Sequence, residues 1–517
     1  MRLLDKQNTV APPNFNRWLV PPAALAIHLS IGMAYGFSVF WLPLNKATGW
    51  KISALGWTFT LFFVLLGSSA AIFGRWLEKH GPRKAGVVAA FCWSGGLFIS
   101  ALGVAWHQIW MLWLGAGVIG GCGLGLGYIS PVSTLIRWFP DKRGLATGLA
   151  IMGFGGGAMI GAPLADKLMK YFATPTSVGV CETFVTLGII YLIAMLAGAF
   201  TYRIPAPGWK PPGWTAPAPS ANAMITRGHV HINVAHRAPQ FWLLWAVLCL
   251  NVSAGIGIIG MASPMLQEVF GGKLIGVDAP LAALTPEQKA KVASLGAGFA
   301  GLLSLFNIGG RIFWAALSDK LGRKRTYTVF FALGLALYVA AALAGSARNI
   351  FFFVALFCVI LTMYGGGFAT IPAYLADLFG TQYVGAIHGR LLTAWATAGI
   401  LGPVLVNYLR EFQLSRGVPA ESAYNVTLYV LAGLLFLGFI SNLLVHPVAE
   451  RHFMSEDELE EEWQLASGKT APPPSGFESA AATARSWFGV TTGWACVGFP
   501  LLWGILRTVE KAAKLFR

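Results

Sequence analysis

Arg311 sets the chemical problem. Within AGLLSLFNIGGRIFWAALSDKLGRKR, from Ala300 to Arg325, it lies deep in an apolar run that ends in a short basic loop. A charged side chain near the middle of a bilayer costs about 3 to 15 kcal/mol, so it persists where it faces a polar cavity or a partner. No Asp or Glu lies at comparable depth in another long apolar run, and Glu182, Glu268 and Asp377 fall near the ends of theirs. An unpaired cation at that depth points to an anion as its ligand. Arg311 suits one carboxylate, because a planar guanidinium grips two oxygens with parallel hydrogen bonds. The alternative is a structural arginine bonded to helix carbonyls.

The framework that holds Arg311 follows from composition. The chain has 517 residues, 56% hydrophobic and 11% charged, with mean hydropathy +0.63, whereas a soluble domain carries about a quarter charged residues. Runs of about 20 apolar residues suffice for one crossing, and these runs are too long and continuous for barrel strands. The fold class is therefore an all-α polytopic membrane protein. Spanning helices are expected near 18–42, 54–74, 85–105, 109–137, 144–169, 180–202, 240–268, 292–318, 327–345, 350–378, 386–410 and 424–446, with a thirteenth over 486–506.

The expected organisation is a cytoplasmic N-terminus (1–17), a six-helix half (18–202), a linker (203–239), a second six-helix half (240–446), an acidic and Pro-rich linker (447–485), the thirteenth helix (486–506) and a basic tail (507–517). Pro205, Pro207, Pro211, Pro212, Pro217 and Pro219 make the first linker semi-stiff. Cations gather in alternate loops, so the positive-inside rule places the N-terminus in the cytoplasm, with the bacterial inner membrane as the expected location.

The net charge of +16 is spread over many loops without interleaved aromatics, which argues for topology charges and against a nucleic-acid partner. The six cysteines form no CxxC pair, so neither a metal nor a cofactor is expected. No Ser/His/Asp constellation or carboxylate pair points to an enzyme. The expected partners are a small organic anion and the lipid bilayer, with the protein acting as a monomer.

The two halves repeat. The loop after the second helix reads GRWLEKHGPRK and that after the eighth reads AALSDKLGRKR. Aligned, Gly74 falls on Ala315, Glu78 on Asp319, Gly81 on Gly322, Arg83 on Lys324 and Lys84 on Arg325. Further on, Gly127 meets Gly367, Gly144 meets Gly385 and Gly148 meets Gly389. Paired six-helix halves around a central site are an architecture of alternating-access transporters. At these residues the chain resembles the major facilitator superfamily, whose hallmark is an acidic residue followed by Gly and paired cations in those two loops. The likeness covers about Arg17 to His446. Glu78 or Asp319 can hold loop cations and helix ends together as a latch that breaks when the halves rock. Gly74, Gly81, Arg83, Lys84, Gly322, Arg323 and Lys324 complete the expected gating motif, and solvated topology charges are the alternative.

Gly117, Gly121 and Gly125 recur every four residues in the fourth helix, as do Gly153, Gly157 and Gly161 in the fifth, so each set makes one flat face for close packing in lipid. With the WFPDKRGLATG loop, this block resembles the oxalate:formate antiporter branch. That resemblance implies two cations, on the eighth and eleventh helices, clamping a small dicarboxylate between aromatic walls. The first maps onto Arg311, four residues after Asn307. The second, a lysine within Thr-Ala-Lys-Ala-Thr-Ala, maps onto Trp395 in Thr393 to Ala398. A doubly charged ligand would lose one counter-charge in a low-dielectric site. The expectation moves to monocarboxylates such as formate, lactate or pyruvate-like anions. The matching aromatic wall is Tyr35, Tyr128, Tyr364 and Phe368, the last two one turn apart.

His28 lies seven residues before Tyr35 on the same face. It reads as the only deep side chain whose ordinary titration range is near neutral, hence a possible proton site, with packing as the alternative. His388 and Arg390 read as gate or topology charges at the entrance of the eleventh helix. Exchange is the leading expectation, because no deep carboxylate offers a proton relay. Proton-coupled symport is the alternative, and a transport-incompetent sensor is a third. In the tail, SEDELEEEW and GKTAPPPSG lead to the thirteenth run, expected to pack beside the bundle and away from Arg311. Its crossing would put Arg507, Lys511, Lys514 and Arg517 outside, against the positive-inside rule.

Overall fold

Lipid offers no partner for backbone N–H and C=O groups, so each long apolar run closes its hydrogen bonds within itself. In the computed structural model, which describes residues 2–12, 15–175, 177–206, 209–214, 224–467 and 484–512, this yields thirteen helices long and apolar enough to cross a membrane. They are α1 (Arg17–Phe37), α2 (Ile52–His80), α3 (Pro82–Ala105), α4 (Ile109–Trp138), α5 (Arg143–Phe172), α6 (Val180–Thr201), α7 (Pro239–Phe270), α8 (Pro286–Leu321), α9 (Arg323–Ser346), α10 (Ile350–Phe379), α11 (Val384–Ser415), α12 (Asn425–Leu443) and α13 (Ala484–Ala512). Among the described residues there is no strand beyond two isolated bridges. Pro207, Pro217 and Pro219, the Pro-rich stretch of the second linker, and Lys514 and Arg517 lie outside the described residues.

Two expected boundaries move for local reasons. α8 begins at Pro286, well before residue 292, because Thr285 and Gln288 form a reciprocal capping box. α1 tightens into a 3-10 stretch, Gly32–Phe40, before the helical segment Trp41–Thr48. There it crowds α5, where a Cβ on Gly32 would lie 2.3 Å from the Phe154 carbonyl oxygen.

The repeated glycines at 81 and 322 have φ +89° and +86°, with ψ 161° and 145°. That region is essentially restricted to glycine, and it lets α2 and α8 turn directly into the next helix.

The four-residue glycine faces pack as small-residue stripes should. Gly117, Gly121 and Gly125 receive Leu61, Leu65 and Ser69 of α2, while Gly153, Gly157 and Gly161 receive α1. A second glycine line on α5 meets the other half: a Cβ on Gly144 would sit 2.1 Å from Ala315 O, and one on Gly148 would sit 2.6 Å from Arg311 O. The pseudo-symmetric seam joins α2 to α11, with Gly74 against Ala386 and Gly389 against Ala70. Both seams lie toward the end of the bundle that carries the loops after α2 and α8, here the motif end.

The first linker is not a free tether. Thr226 N–H donates to Asp377 O at 2.8 Å, Val230 N–H to Phe379 O at 2.9 Å, and Met454 N–H to His229 O at 2.8 Å. These bonds pin 226–230 between the end of α10 and the segment after α12.

α13 runs the thickness of the bundle. Gly489 and Gly493 lie on Leu19 and Pro22 at the start of α1, Gly504 on Met159, and the Lys167 amine lies 5.0 Å from the Trp503 ring. Leu25, Met152, Met159, Ile308 and Val497 form a cluster joining α1, α5, α8 and α13. The helix comes closer to Arg311 than its sequence predicts, because the wall there is glycine: Leu501 packs on Gly156 while Gly155 faces the guanidinium. It still contributes no side chain to the site described next. Deletion from Lys469 onward is therefore expected to leave carboxylate-induced thermal stabilisation within about twofold of wild type in apparent affinity, while lowering the melting temperature itself. Loss of ligand-induced stabilisation in a well-folded truncation would contradict it.

Candidate functional site

Arg311 is wholly buried on α8. Its Nη1 donates to Ile151 O of α5 at 2.8 Å and its Nε to Asn307 Oδ1 at 3.2 Å, one turn earlier on α8. Asn307 is fixed by α10, where a Cβ on Gly365 would fall 2.5 Å from that same Oδ1. Gly155 leaves the room that the guanidinium occupies, since a Cβ there would stand 3.2 Å from Nε. The guanidinium carbon lies 5.5 Å from the Phe368 ring, a cation–π contact. The carbonyl bond is the structural role considered as the alternative; with the Asn307 bond it occupies Nη1 and Nε and leaves Nη2. Nη2 has no hydrogen bond of normal length, and no carboxylate pairs with Arg311 among the described residues.

Around it the two halves contribute an aromatic cage centred on Trp395 of α11, which is itself wholly buried. Its ring lies 4.4 Å from Phe368, 5.3 Å from Tyr128, 5.3 Å from Phe154, 5.6 Å from Phe63 and 6.5 Å from Tyr35. Tyr364 stands edge-on to Phe368 at 5.3 Å. The hydroxyls of Tyr35, Tyr128 and Tyr364, Trp395 Nε1 and Arg311 Nη2 are all buried without a hydrogen bond of normal length among the described residues, and Tyr35 interacts at longer range with Arg311 and Tyr364. Every one of these can donate, and only one carries charge. The arrangement thus presents several donors to an acceptor-rich ligand of low charge.

His28 bridges this cage to the backbone. Its Nδ1 lies 2.7 Å from Ala150 O, its Nε2 3.2 Å from Tyr128 O, and its ring 5.2 Å from that of Tyr128. His388 is a second deep histidine and is not at an entrance. It is wholly buried in the α2–α11 seam region, with its ring 5.9 Å from Tyr128. Sequence position placed it one residue from Gly389 but could not show that the seam closes over it.

The pattern of the Major Facilitator Superfamily matches residues 23–403 and 293–509. This chain belongs to that superfamily. It is 27% identical to the oxalate:formate antiporter of Oxalobacter formigenes over 75% of this chain and 83% of that one. It is 28% identical to apicoplast pyruvate carrier 1 of Toxoplasma gondii over 66% of each. Its fold matches the solved structure of the superfamily transporter FucP in the outward conformation, with TM-score 0.58 at 14% identity, over 83% of this chain and 99% of that one.

The superfamily loops meet at the motif end of this bundle. Asp319 accepts from the backbone N–H groups of Gly144 at 2.9 Å and Leu145 at 3.0 Å, so it caps α5 of the other half, and Arg323 holds it from its own side. A carboxylate at a helix N-terminus meets both free donors and the positive end of the dipole. Asp377 binds Arg143 across the halves at 2.9 Å and Arg323 at 3.2 Å. In the first half Glu78 pairs with Arg137, which also donates to Gln382 O across the junction at 3.0 Å. His229 of the linker accepts from Gln382 N–H, and burial together with Arg143 and Arg137 holds its imidazole below the ordinary histidine range.

Other residues of the expected gating motif sit elsewhere. Arg83 donates to Leu3 O and Tyr202 O within the first half, Lys84 lies over the Trp76 ring, and Lys324 donates to Leu443 O and Val445 O. Arg390 donates to Ile232 O and so ties α11 to the linker. Sequence reasoning missed Phe63, Phe154 and the ion pair of Asp377 across the halves. Phe154 had a signal, as the lone aromatic in MGFGGGAM, whereas Phe63 sits among apolar neighbours with none.

Proposed function

We propose that this superfamily transporter exchanges small monocarboxylates such as formate, lactate or pyruvate-like anions by alternating access. The observation that carries the reading is the wholly buried Arg311, with no carboxylate partner among the described residues and its Nη2 left without a hydrogen bond of normal length inside the aromatic cage. The names of the relatives, an oxalate:formate antiporter and a pyruvate carrier, agree with a small carboxylate as cargo. Trp395, standing where the antiporter branch carries a lysine, moves preference from oxalate toward singly charged anions. The protein works as a monomer in a bacterial inner membrane with its N-terminus and motif end in the cytoplasm, following the loop cations.

Counterflow in proteoliposomes without a pH gradient tests the exchange. Robust uptake of labelled formate, lactate or pyruvate against the unlabelled ion supports it, and uptake that requires an imposed proton gradient supports symport instead. The second reading has its own observation. His28 turns both ring nitrogens toward carbonyl oxygens, and a neutral imidazole has one N–H to offer, so a second proton would complete the pair of bonds.

Trp395→Lys is expected to raise the ability of oxalate to compete with formate by about tenfold or more, because a second cation restores a charge pair worth at least 1.4 kcal/mol in a dry site. Unchanged competition would remove Trp395 from the ligand's surroundings.

A further inference from the structure

At the motif end the halves enclose a cleft of about 1980 Å³. Its walls carry twelve lysines and arginines and five carboxylates. Four of the carboxylates are already engaged: Glu78 with Arg137, Asp141 with Arg17, Asp319 with Arg323, and Asp377 with Arg143 and Arg323. Among the described residues, the side chains of Arg75, Lys79, Lys210, Lys320 and Arg325 form no hydrogen bond or ion pair. The positive charge is therefore in excess and uncommitted. A concave wall of one sign concentrates counter-ions near it.

The inner end of the cleft has directed donors as well as field. Tyr374 is buried, lines the cleft one turn from Asp377 on α10, and its hydroxyl has no protein partner. Arg143, which binds Asp377 through Nη1, keeps its buried Nε unpaired. Both residues line the cleft with these donors unpaired, beside the ion pair that joins the halves.

We propose that this cleft is a second, low-affinity site for small carboxylates: the free cations gather the anion, and Arg143 with Tyr374 receives it beside Asp377. The anion then competes with Asp377 for Arg143, so cargo arriving from the motif end loosens the latch it must pass. The inference rests on the carboxylate reading above for the nature of the cargo. It adds a sidedness that Arg311 cannot supply, because Arg311 is reached from both faces in turn.

The test uses the full-length protein in phosphatidylcholine vesicles of known orientation, with formate as probe and inert salt varied. The screening length falls from about 30 Å at 0.01 M salt to about 10 Å at 0.1 M, so charges spread over a wide cleft lose reach across that range. The apparent KM for formate at the motif end is expected to rise about fivefold or more with salt while that at the opposite end stays flat. The triple variant Lys79→Gln, Lys320→Gln, Arg325→Gln should abolish the rise, and Tyr374→Phe should raise the motif-end KM alone. Equal salt slopes at both ends, a triple variant that behaves as wild type, or a dependence on added anionic lipid in place of soluble anion would overturn the proposal. A binding readout separates this site from the central one: broadening of the 13C-formate resonance is expected on Arg311→Ala protein, and is lost when the triple substitution is added. Absence of broadening on Arg311→Ala overturns the cleft site even where wild-type exchange is normal.

Discussion

Arg311→Ala is expected to abolish carboxylate binding in the central cage, and exchange with it, while the protein remains inserted and folded. Removing a charge-assisted pair in a dry site forfeits about 3 kcal/mol or more of ligand affinity, at least about 100-fold. The fold loses much less. Ile151 lies within α5, so its carbonyl keeps its place in the helix ladder when the Nη1 donor goes. Arg311→Lys is expected to fail almost as fully, because an ammonium cannot bond Ile151 O and Asn307 Oδ1 and still present a planar edge to two carboxylate oxygens. Ligand-induced thermal stabilisation and counterflow on matched, monodisperse protein measure both. Wild-type uptake by Arg311→Ala would remove the residue from the site.

Gly144→Ala is expected to be the most damaging small change outside the cage. Its methyl would lie 2.1 Å from Ala315 O, 2.7 Å from Arg323 Nη1 and 2.9 Å from Asp319 Oδ1. It thus pries apart the α5–α8 seam at the point where Asp319 caps α5. Backbone cannot yield as a long side chain does, and overpacking of this kind costs about 1–3 kcal/mol, borne only by the state with the motif end closed. The population shifts toward the motif-open state by about 5- to 150-fold, and exchange slows by at least about tenfold because one half of the cycle is depleted. Ser133→Cys, on α4 and buried against Gly385 of α11 beside the companion seam, reports it: its alkylation rate should rise with Gly144→Ala and stay low in the parent. An unchanged rate with full transport would mean that the seam does not set the closed state.

The helices, the repeat and Arg311 were legible because each leaves a local mark: long apolar runs, glycines at four-residue spacing, and a charge where lipid forbids one. The cage was legible only where a resemblance supplied it. Phe63 and Phe154 close around Trp395 from opposite elements, and no spacing rule links residues on α2, α5 and α11. Asp377 was set aside as a helix-end carboxylate, since its two cationic partners come from α5 and α9 and meet only when the halves dock. His388 shows the same limit in reverse: a polar residue near a helix start reads as exposed until another helix covers it. The thirteenth helix was visible as a run, but its approach to Arg311 depends on two glycines that thin the wall of a different helix.

The lone guanidinium also fixes the electrical behaviour of the cycle. With no carboxylate beside it among the described residues, the empty site carries one positive charge and a bound monoanion cancels it. Moving one elementary charge across a membrane potential is worth about 2.3 kcal/mol per 100 mV, so a loaded reorientation is blind to voltage whereas an empty one must carry that charge through the field. The empty return is further handicapped by a cation moving without its counter-ion through a dry passage. If the proposed monocarboxylate cargo binds there, the carrier is expected to swap one ion for another, electroneutrally. Trp395→Lys would invert that accounting, making the monoanion cycle electrogenic and reserving neutrality for a dianion.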